Sequence, residues 1–126
     1  MTEQKMNALT EKVIGCAYAV HNELGTGFLE KAYENSLSIE LQEQGIASIQ
    51  QVAMPVYYKG ALVGEYFADL LVADTLVFEL KAVQEISKIH EVQLVNYLCA
   101  TGKDVGLLIN FGESVQVRRK YRVFRR

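Results

Sequence analysis

The sequence predicts an α/β fold in which a mixed central sheet carries helices on both faces. Three observations point there. Two helical stripes, each closed by a glycine, open the chain. Three short segments rich in β-branched and aromatic residues follow, separated by tight turns. A further helix then leads into an almost unbroken apolar run at 105–110, the pattern of a strand covered on both sides. With 126 residues, half of them hydrophobic, the chain is long enough for one domain with a real core and too short for two, so 1–126 is read as a single domain.

Over 11–24, Val13, Ile14, Ala17, Tyr18, His21 and Leu24 recur at helical spacing, with Thr10 placed to cap the start and Gly25 to end it. After Gly25-Thr26-Gly27 a second stripe, Leu29, Ala32, Tyr33, Leu37 and Leu41, runs over 29–44 to a stop at Gly45. Residues 52–59 read as a strand, and Pro55 within them implies a sheet edge or an irregular start. Lys59-Gly60 is the turn into a strand over 62–72, and Ala73-Asp74-Thr75 the turn into one over 76–81, which makes an antiparallel meander. A third helix spans 87–101, with Val92, Val95, Leu98 and Cys99 as its apolar positions and Gly102 as its end. The apolar strand 105–110 reaches the sheet across that helix, which favours parallel pairing. A basic amphipathic strand over 115–124 follows.

Composition removes several classes of function. The opening residues are polar, and no apolar run approaches the length of a membrane span, so a soluble cytoplasmic protein without a membrane partner is expected. Two cysteines, Cys16 and Cys99, both in helical segments, give no disulfide framework. With His21 and His90 as the two histidines and no CxxC or HxxxH spacing, a structural zinc site has little support. Neither GxxxxGK[ST] nor GxGxxG occurs, which argues against a nucleotide-binding enzyme. The net charge of −2 hides an uneven distribution: Arg118, Arg119, Lys120, Arg122, Arg125 and Arg126 hold six of the 13 basic residues, leaving seven against 15 acidic ones elsewhere. Such a tail reads equally as a patch that tracks phosphates or as an edge strand kept from aggregating by charge.

The chemistry concentrates in YFADLLVADTLVFELKAV. With Ala73 to Thr75 as the turn, Val72 lies opposite Leu76 and, counting outward, Asp69 lies opposite Glu79. The even-numbered face, Tyr66, Ala68, Leu70, Val72, Leu76, Phe78 and Leu80, is almost wholly apolar and reads as core. The odd-numbered face carries Asp69, Glu79 and Lys81 among Phe67, Leu71 and Val77. Two facing carboxylates repel one another by roughly 0.2–1 kcal/mol. A hard divalent cation that binds carboxylate oxygens and keeps waters for a substrate would offset this, with Lys81 beside it to act on a water or on phosphate charge. The plainer reading is an ion triad, in which Lys81 neutralises the two acids or flanks a solvated strand end.

An acid on one strand followed across a hairpin by E-x-K, here Ala68-Asp69 and Glu79-Leu80-Lys81, resembles the motif of the PD-(D/E)XK nuclease superfamily. Gly27-Phe28-Leu29-Glu30-Lys31-Ala32-Tyr33, preceded by His21-Asn22-Glu23-Leu24-Gly25, matches the signature of the small bacterial proteins called the GxxExxY family. Gln93-Leu94-Val95-Asn96-Tyr97-Leu98 is similar to the QxxxY element of exonuclease-like members, and Gly106-Leu107-Leu108-Ile109-Asn110-Phe111 to the family's buried strand. The likeness runs from about residue 10 onward. One departure is Ala68, where the superfamily has proline before the aspartate.

The resemblance implies a restriction-endonuclease-like core and a metal-dependent phosphodiester hydrolase. It makes Asp69 and Glu79 ligands of magnesium or manganese, Lys81 the catalytic lysine, and Glu30 a further acid reaching the metal directly or through water. Apart from the family, Glu30 is simply an acid favoured by a helix N-terminus. Gln93 and Tyr97, four residues apart, share a helix face, where they bind the phosphate, steady Lys81 or make an ordinary interior contact. His21 matches a family position but also reads as a packed, hydrogen-bonded histidine; Tyr33 is a further candidate or plain core. The implied partner is nucleic acid, DNA before RNA, together with a homodimer or partner chain, since so short a chain offers little surface for choosing a target. A binding module that keeps the fold without catalysis is the competing expectation.

Overall fold

A computed structural model describes residues 1–123. In chain order the elements are α1 (Glu3–Leu24), α2 (Glu30–Glu43), β1 (Ser48–Tyr58), β2 (Ala61–Val72), β3 (Leu76–Lys81), α3 (Lys88–Thr101), β4 (Val105–Phe111) and β5 (Val115–Tyr121). The strands form one mixed sheet in the order β1-β2-β3-β4-β5, antiparallel except for the parallel β3–β4 pair, whose crossover is α3. This is the expected α/β architecture with helices on both faces. On one face Val13, Ala17 and Val20 of α1 and Tyr33, Leu37 and Leu41 of α2 pack against Leu70, Phe78, Leu107 and Ile109. On the other, Leu94 and Leu98 of α3 pack against Met54, Tyr66, Ala68, Val77 and Leu108. β4 is buried along its whole length between these layers.

Both hairpin turns are tight because their residues accept left-handed backbone. Lys59 and Gly60 have φ of 51° and 81°, Ala73 and Asp74 of 51° and 60°. The second turn gives the Val72↔Leu76 register that the sequence predicts.

Several boundaries differ from the sequence reading. α1 begins at Glu3, capped by Thr2, whose side chain accepts from Lys5 N–H. Thr10, expected to cap the helix, is buried inside it and donates its hydroxyl to Met6 and Asn7 carbonyls. Tyr18, expected on the apolar stripe, is exposed, and Cys16 and Val20 are buried in its place. β1 starts at Ser48, four residues before the expected 52. In α3 the inward residues are Leu94 and Leu98, whereas Val92 is exposed and Val95 and Cys99 only half-buried. The physical reason lies in β4: a Cβ at Gly106 would stand 3.0 Å from Leu94 Cδ1, so this glycine opens the seat that Leu94 fills. The expected final strand reached 124; Phe124, like Arg125 and Arg126 of the basic tail, lies outside the described residues.

Within the tail, Arg119 donates to Asn7 Oδ1 at 2.7 Å and to the Thr10 hydroxyl. Lys120 pairs with Glu91 at 3.1 Å, and Arg122 with Asp104 at 2.7 Å. Arg119 and Lys120 thus tie edge strand β5 to α1 and α3, and Arg122, just past the strand, pairs with the residue before β4. Among the described residues no helix is long and apolar enough to cross a membrane.

The α1–α2 connection is held by Tyr33. Its buried hydroxyl donates to Gly25 O at 2.7 Å and accepts from Phe28 N–H at 3.3 Å, while its ring stacks on Phe111 at 4.6 Å. Gly27, at φ 102°, lets the loop turn between those two bonds. Tyr33→Phe keeps the ring and strands two backbone groups, so unfolding in urea should show a loss of about 1–3 kcal/mol.

Candidate active site

The acidic site forms where β2 and β3 part. Their pairing runs from Val72↔Leu76 to Leu70↔Phe78 and ends there, one step before Asp69 and Glu79 would face each other. Asp69 turns into the opening, and its Oδ2 accepts the Leu80 N–H at 2.7 Å. Its side chain thus replaces a ladder bond that the strand no longer makes.

The even-numbered face corrects one expectation. All seven of its residues are buried, but they divide between the two layers: Leu70, Val72, Leu76, Phe78 and Leu80 pack towards α1 and α2, Tyr66 and Ala68 towards α3. The side that β2 presents therefore changes across Asp69. The change coincides with a break in the β1–β2 ladder, where Gln50 pairs with Leu70 and Val52 with Ala68, while Gln51 between them takes φ of 54°. Asp69 and Glu79 accordingly do not sit side by side on one flat face. Asp69 lines a cleft of about 630 Å³ with Leu29, Glu30, Lys31, Glu34, Gln51 and Ala82. Glu79 alternates with buried Phe78 and Leu80 towards the α3 layer, and the two acids meet through the gap in hydrogen-bonding contact.

The electrostatics follow from that contact. Burial first, and the Asp69 carboxylate second, raise the Glu79 carboxyl from 4.5 to about 9, against the opposing pull of the Tyr66 hydroxyl and Lys81. Tyr66 donates its hydroxyl to Glu79 Oε2. Burial and then the charge of Glu79 push the phenol upward, so it remains a donor. The Tyr66 ring stacks on Tyr97 of α3, with centroids 3.7 Å apart and planes within 5°. At neutral pH Glu79 therefore keeps its proton, as burial and a like-charged neighbour require. A divalent cation fits that donor set: it is drawn to hard oxygens and would take the place of the proton.

The other expected residues fall into two groups. Glu30, exposed at the first turn of α2, shares the cleft with Asp69, and Lys81 stands close enough to Glu79 to act on its charge. Tyr97 reaches Glu79 through Tyr66, while Gln93, one turn earlier on α3, is exposed. His21 and Tyr33 are tied into the frame instead: His21 Nε2 lies 2.8 Å from Gly112 O, and Tyr33 is fully buried. Among the described residues no group of three or more His, Cys, Asp and Glu side chains is arranged to hold a metal ion; the acids brought together are the pair, and Glu30 shares only the cleft that Asp69 lines.

Four further residues shape the site without having been singled out from sequence. Tyr66 caps Glu79, and Glu34 and Gln51 stand behind Asp69. Asn110, the β4 partner of Lys81, grips Val83 by both its N–H and its carbonyl at 2.9 Å and so directs the chain leaving β3. Glu34 carries a readable signal, four residues from Glu30 on one helix face. Gln51 carries none.

The Glu79 proton has a consequence for stability. In the unfolded chain this carboxyl ionises above about pH 4.5, whereas in the fold it keeps its proton to about pH 9. Between those limits the folded state binds more protons, so its contribution to stability is full below 4.5 and is lost as pH rises towards 9. Urea unfolding of metal-free protein should show stability falling over that window, by up to about 1.4 kcal/mol per pH unit, and Glu79→Gln should flatten the fall.

No curated protein matches the chain. The family model described as the PD-(D/E)XK nuclease superfamily matches residues 7–123, from within α1 to the last described residue. That span takes in the whole five-stranded sheet, α2, α3, most of α1 and the Asp69–Glu79–Lys81 cluster, and the chain belongs to the PD-(D/E)XK nuclease superfamily.

Proposed function

We propose that the chain is a metal-dependent nuclease of the GxxExxY branch, hydrolysing phosphodiester bonds in DNA or, as the second candidate, RNA. The observation that carries this reading is the Asp69–Glu79 carboxyl pair, in contact at the opening of the sheet with Lys81 beside it. The branch assignment is supported by the separate tasks of its three signature residues: Gly27 turns the loop, Tyr33 fastens it, and Glu30 stands in the cleft with Asp69.

Magnesium, with manganese as substitute, is the cation that two carboxylates and retained waters suit. Bound there, it supplies Lewis-acid stabilisation of phosphate charge and a water of lowered pKa. Asp69 and Glu79 would hold it, and Glu30 would approach directly or through a water. Lys81, as an ammonium, donates to the attacking water to orient it and offsets charge on the phosphate, while the water's proton leaves to solvent. Tyr97 steadies Glu79 through Tyr66, and Gln93, on the exposed side of α3, contacts the phosphate strand. Water attacks in line, without a covalent enzyme intermediate. The free thiols Cys16 and Cys99 fit a reducing cytoplasmic setting. A homodimer or partner chain would supply the target-selecting surface; a monomeric sedimentation profile in a fully active sample removes that part.

One observation favours a second reading, a nucleic-acid- or protein-binding module without turnover: Glu79 is capped by Tyr66 and protonated at neutral pH. Calorimetric titration with magnesium, with and without DNA, separates the two, since a silent titration favours the module. For the nuclease, Asp69→Ala, Glu79→Ala and Lys81→Ala should each lower the rate of magnesium-dependent cleavage by roughly 100-fold or more, measured on labelled single- and double-stranded DNA and RNA. No cleavage with magnesium or manganese, or full rates in all three variants, would refute the assignment.

A further inference from the structure

We propose that Glu34 is a positioning residue for Asp69, acting through the side-chain amide of Gln51; this rests on the reading of Asp69 as a metal ligand. Glu34 is 3% exposed, and a carboxylate is rarely buried so far unless it is fully paired. Its Oε2 accepts from Lys31 at 3.0 Å and from Gln50 at 2.7 Å, and its Oε1 accepts from Gln51 Nε2 at 2.7 Å. The same Gln51 nitrogen donates to Asp69 Oδ1 at 3.2 Å. An amide nitrogen has two protons, and here each goes to a carboxylate. Because Glu34 can only accept, it fixes which end of the Gln51 amide points inward, and the second proton is delivered to Asp69.

The backbone says the same. Gln51 has no turn to make, yet it adopts φ of 54°, a region that few residues other than glycine enter. It does so opposite Asp69, at a gap in the β1–β2 ladder that is separate from the register shift at Val56/Tyr57. A buried acid and a left-handed glutamine add nothing to the apolar core that Leu37 and Leu41 form on the same helix. They do restrain Asp69: Gln51 holds Oδ1 while Leu80 N–H holds Oδ2. A carboxylate restrained at both oxygens presents its remaining lone pairs in one direction. Loss of such outer partners typically weakens metal binding by about 10–100-fold.

The test is calorimetric titration of the full chain with Mn²⁺, alongside the thermal midpoint of the metal-free protein. Two variants are compared with the unmodified chain. Glu34→Gln keeps the shape and removes the obligatory acceptor. Gln51→Asn keeps an amide and tolerates left-handed backbone but is too short to join the two acids. Both should bind Mn²⁺ about 10-fold more weakly or worse, whereas a destabilised control, Leu41→Ala, which opens a cavity at the far end of α2 and lowers the midpoint, should keep the affinity of the unmodified chain, a separation that a merely structural role would not produce. If the unmodified chain takes up Mn²⁺ and Gln51→Asn binds it as tightly, the relay is refuted while the functional reading stands. If the unmodified chain takes up no Mn²⁺, the reading of the site falls and the relay with it.

Discussion

Two carboxyl groups in contact and largely out of water cannot both be ionised at little cost, and the centre of this fold is arranged around that constraint. Asp69 and Glu79 meet because β2 and β3 stop pairing at Leu70↔Phe78. Each neighbour then answers one part of the repulsion. Glu79 keeps a proton to about pH 9, Tyr66 donates to it, and Tyr97 lies flat against the Tyr66 ring. Asp69 takes a backbone N–H and a glutamine amide, and Lys81 supplies the nearby positive charge. Removing any one of these leaves a partly buried acid less well compensated, which is costly in surroundings of low dielectric.

The surrounding frame is rigid for reasons traceable to individual residues. Tyr33 stacks on Phe111, so the start of α2, where Glu30 stands, is fastened to the end of β4. His21 holds Gly112 O just beyond that strand, and Asn110 within it grips Val83. A Cβ on Gly112 would stand 3.0 Å from Val83 O, so the absence of a side chain allows the two segments to lie together. The start of α2, the exit of β3 and the β4–β5 turn are thereby bound to one another around the acids. His21 and Tyr33, which matched family positions, serve in this frame and not at the cleft wall.

Much of this was legible in the sequence because it depends on short-range chemistry. The Ala73-Asp74-Thr75 turn set the hairpin register, the unbroken apolar run marked β4 as covered on both faces, and Gly25, Gly45 and Gly102 marked helix ends. What stayed hidden depends on distant partners. Thr10 has the chemistry of a cap, and only the packing of α1 on β5 and its contact with Arg119 shows it to be interior. Val92 and Leu94 are equally apolar; the seat left by Gly106 decides which of them turns inward. The change of side at Asp69 was not readable, because glutamine has no preference for the left-handed backbone that Gln51 adopts. Strict alternation through β2 therefore placed all three charged residues on one face, where the fold instead joins them through a gap.

That gap bears on the kind of metal site proposed. A structural metal holds its ligands together and contributes directly to folding, so its ligands repel when it is absent. Here the metal-free pair is already compensated, by a proton on Glu79 and by donors on both oxygens of Asp69. The fold does not need a cation to close. On the proposed reading a cation enters by exchanging with that proton, and two protein carboxylates leave most of its coordination to water and phosphate. Such a site binds its metal most firmly when a substrate oxygen completes the shell. On that reading the centre would assemble on its substrate, and a third acid need not converge on the pair before the nucleic acid arrives.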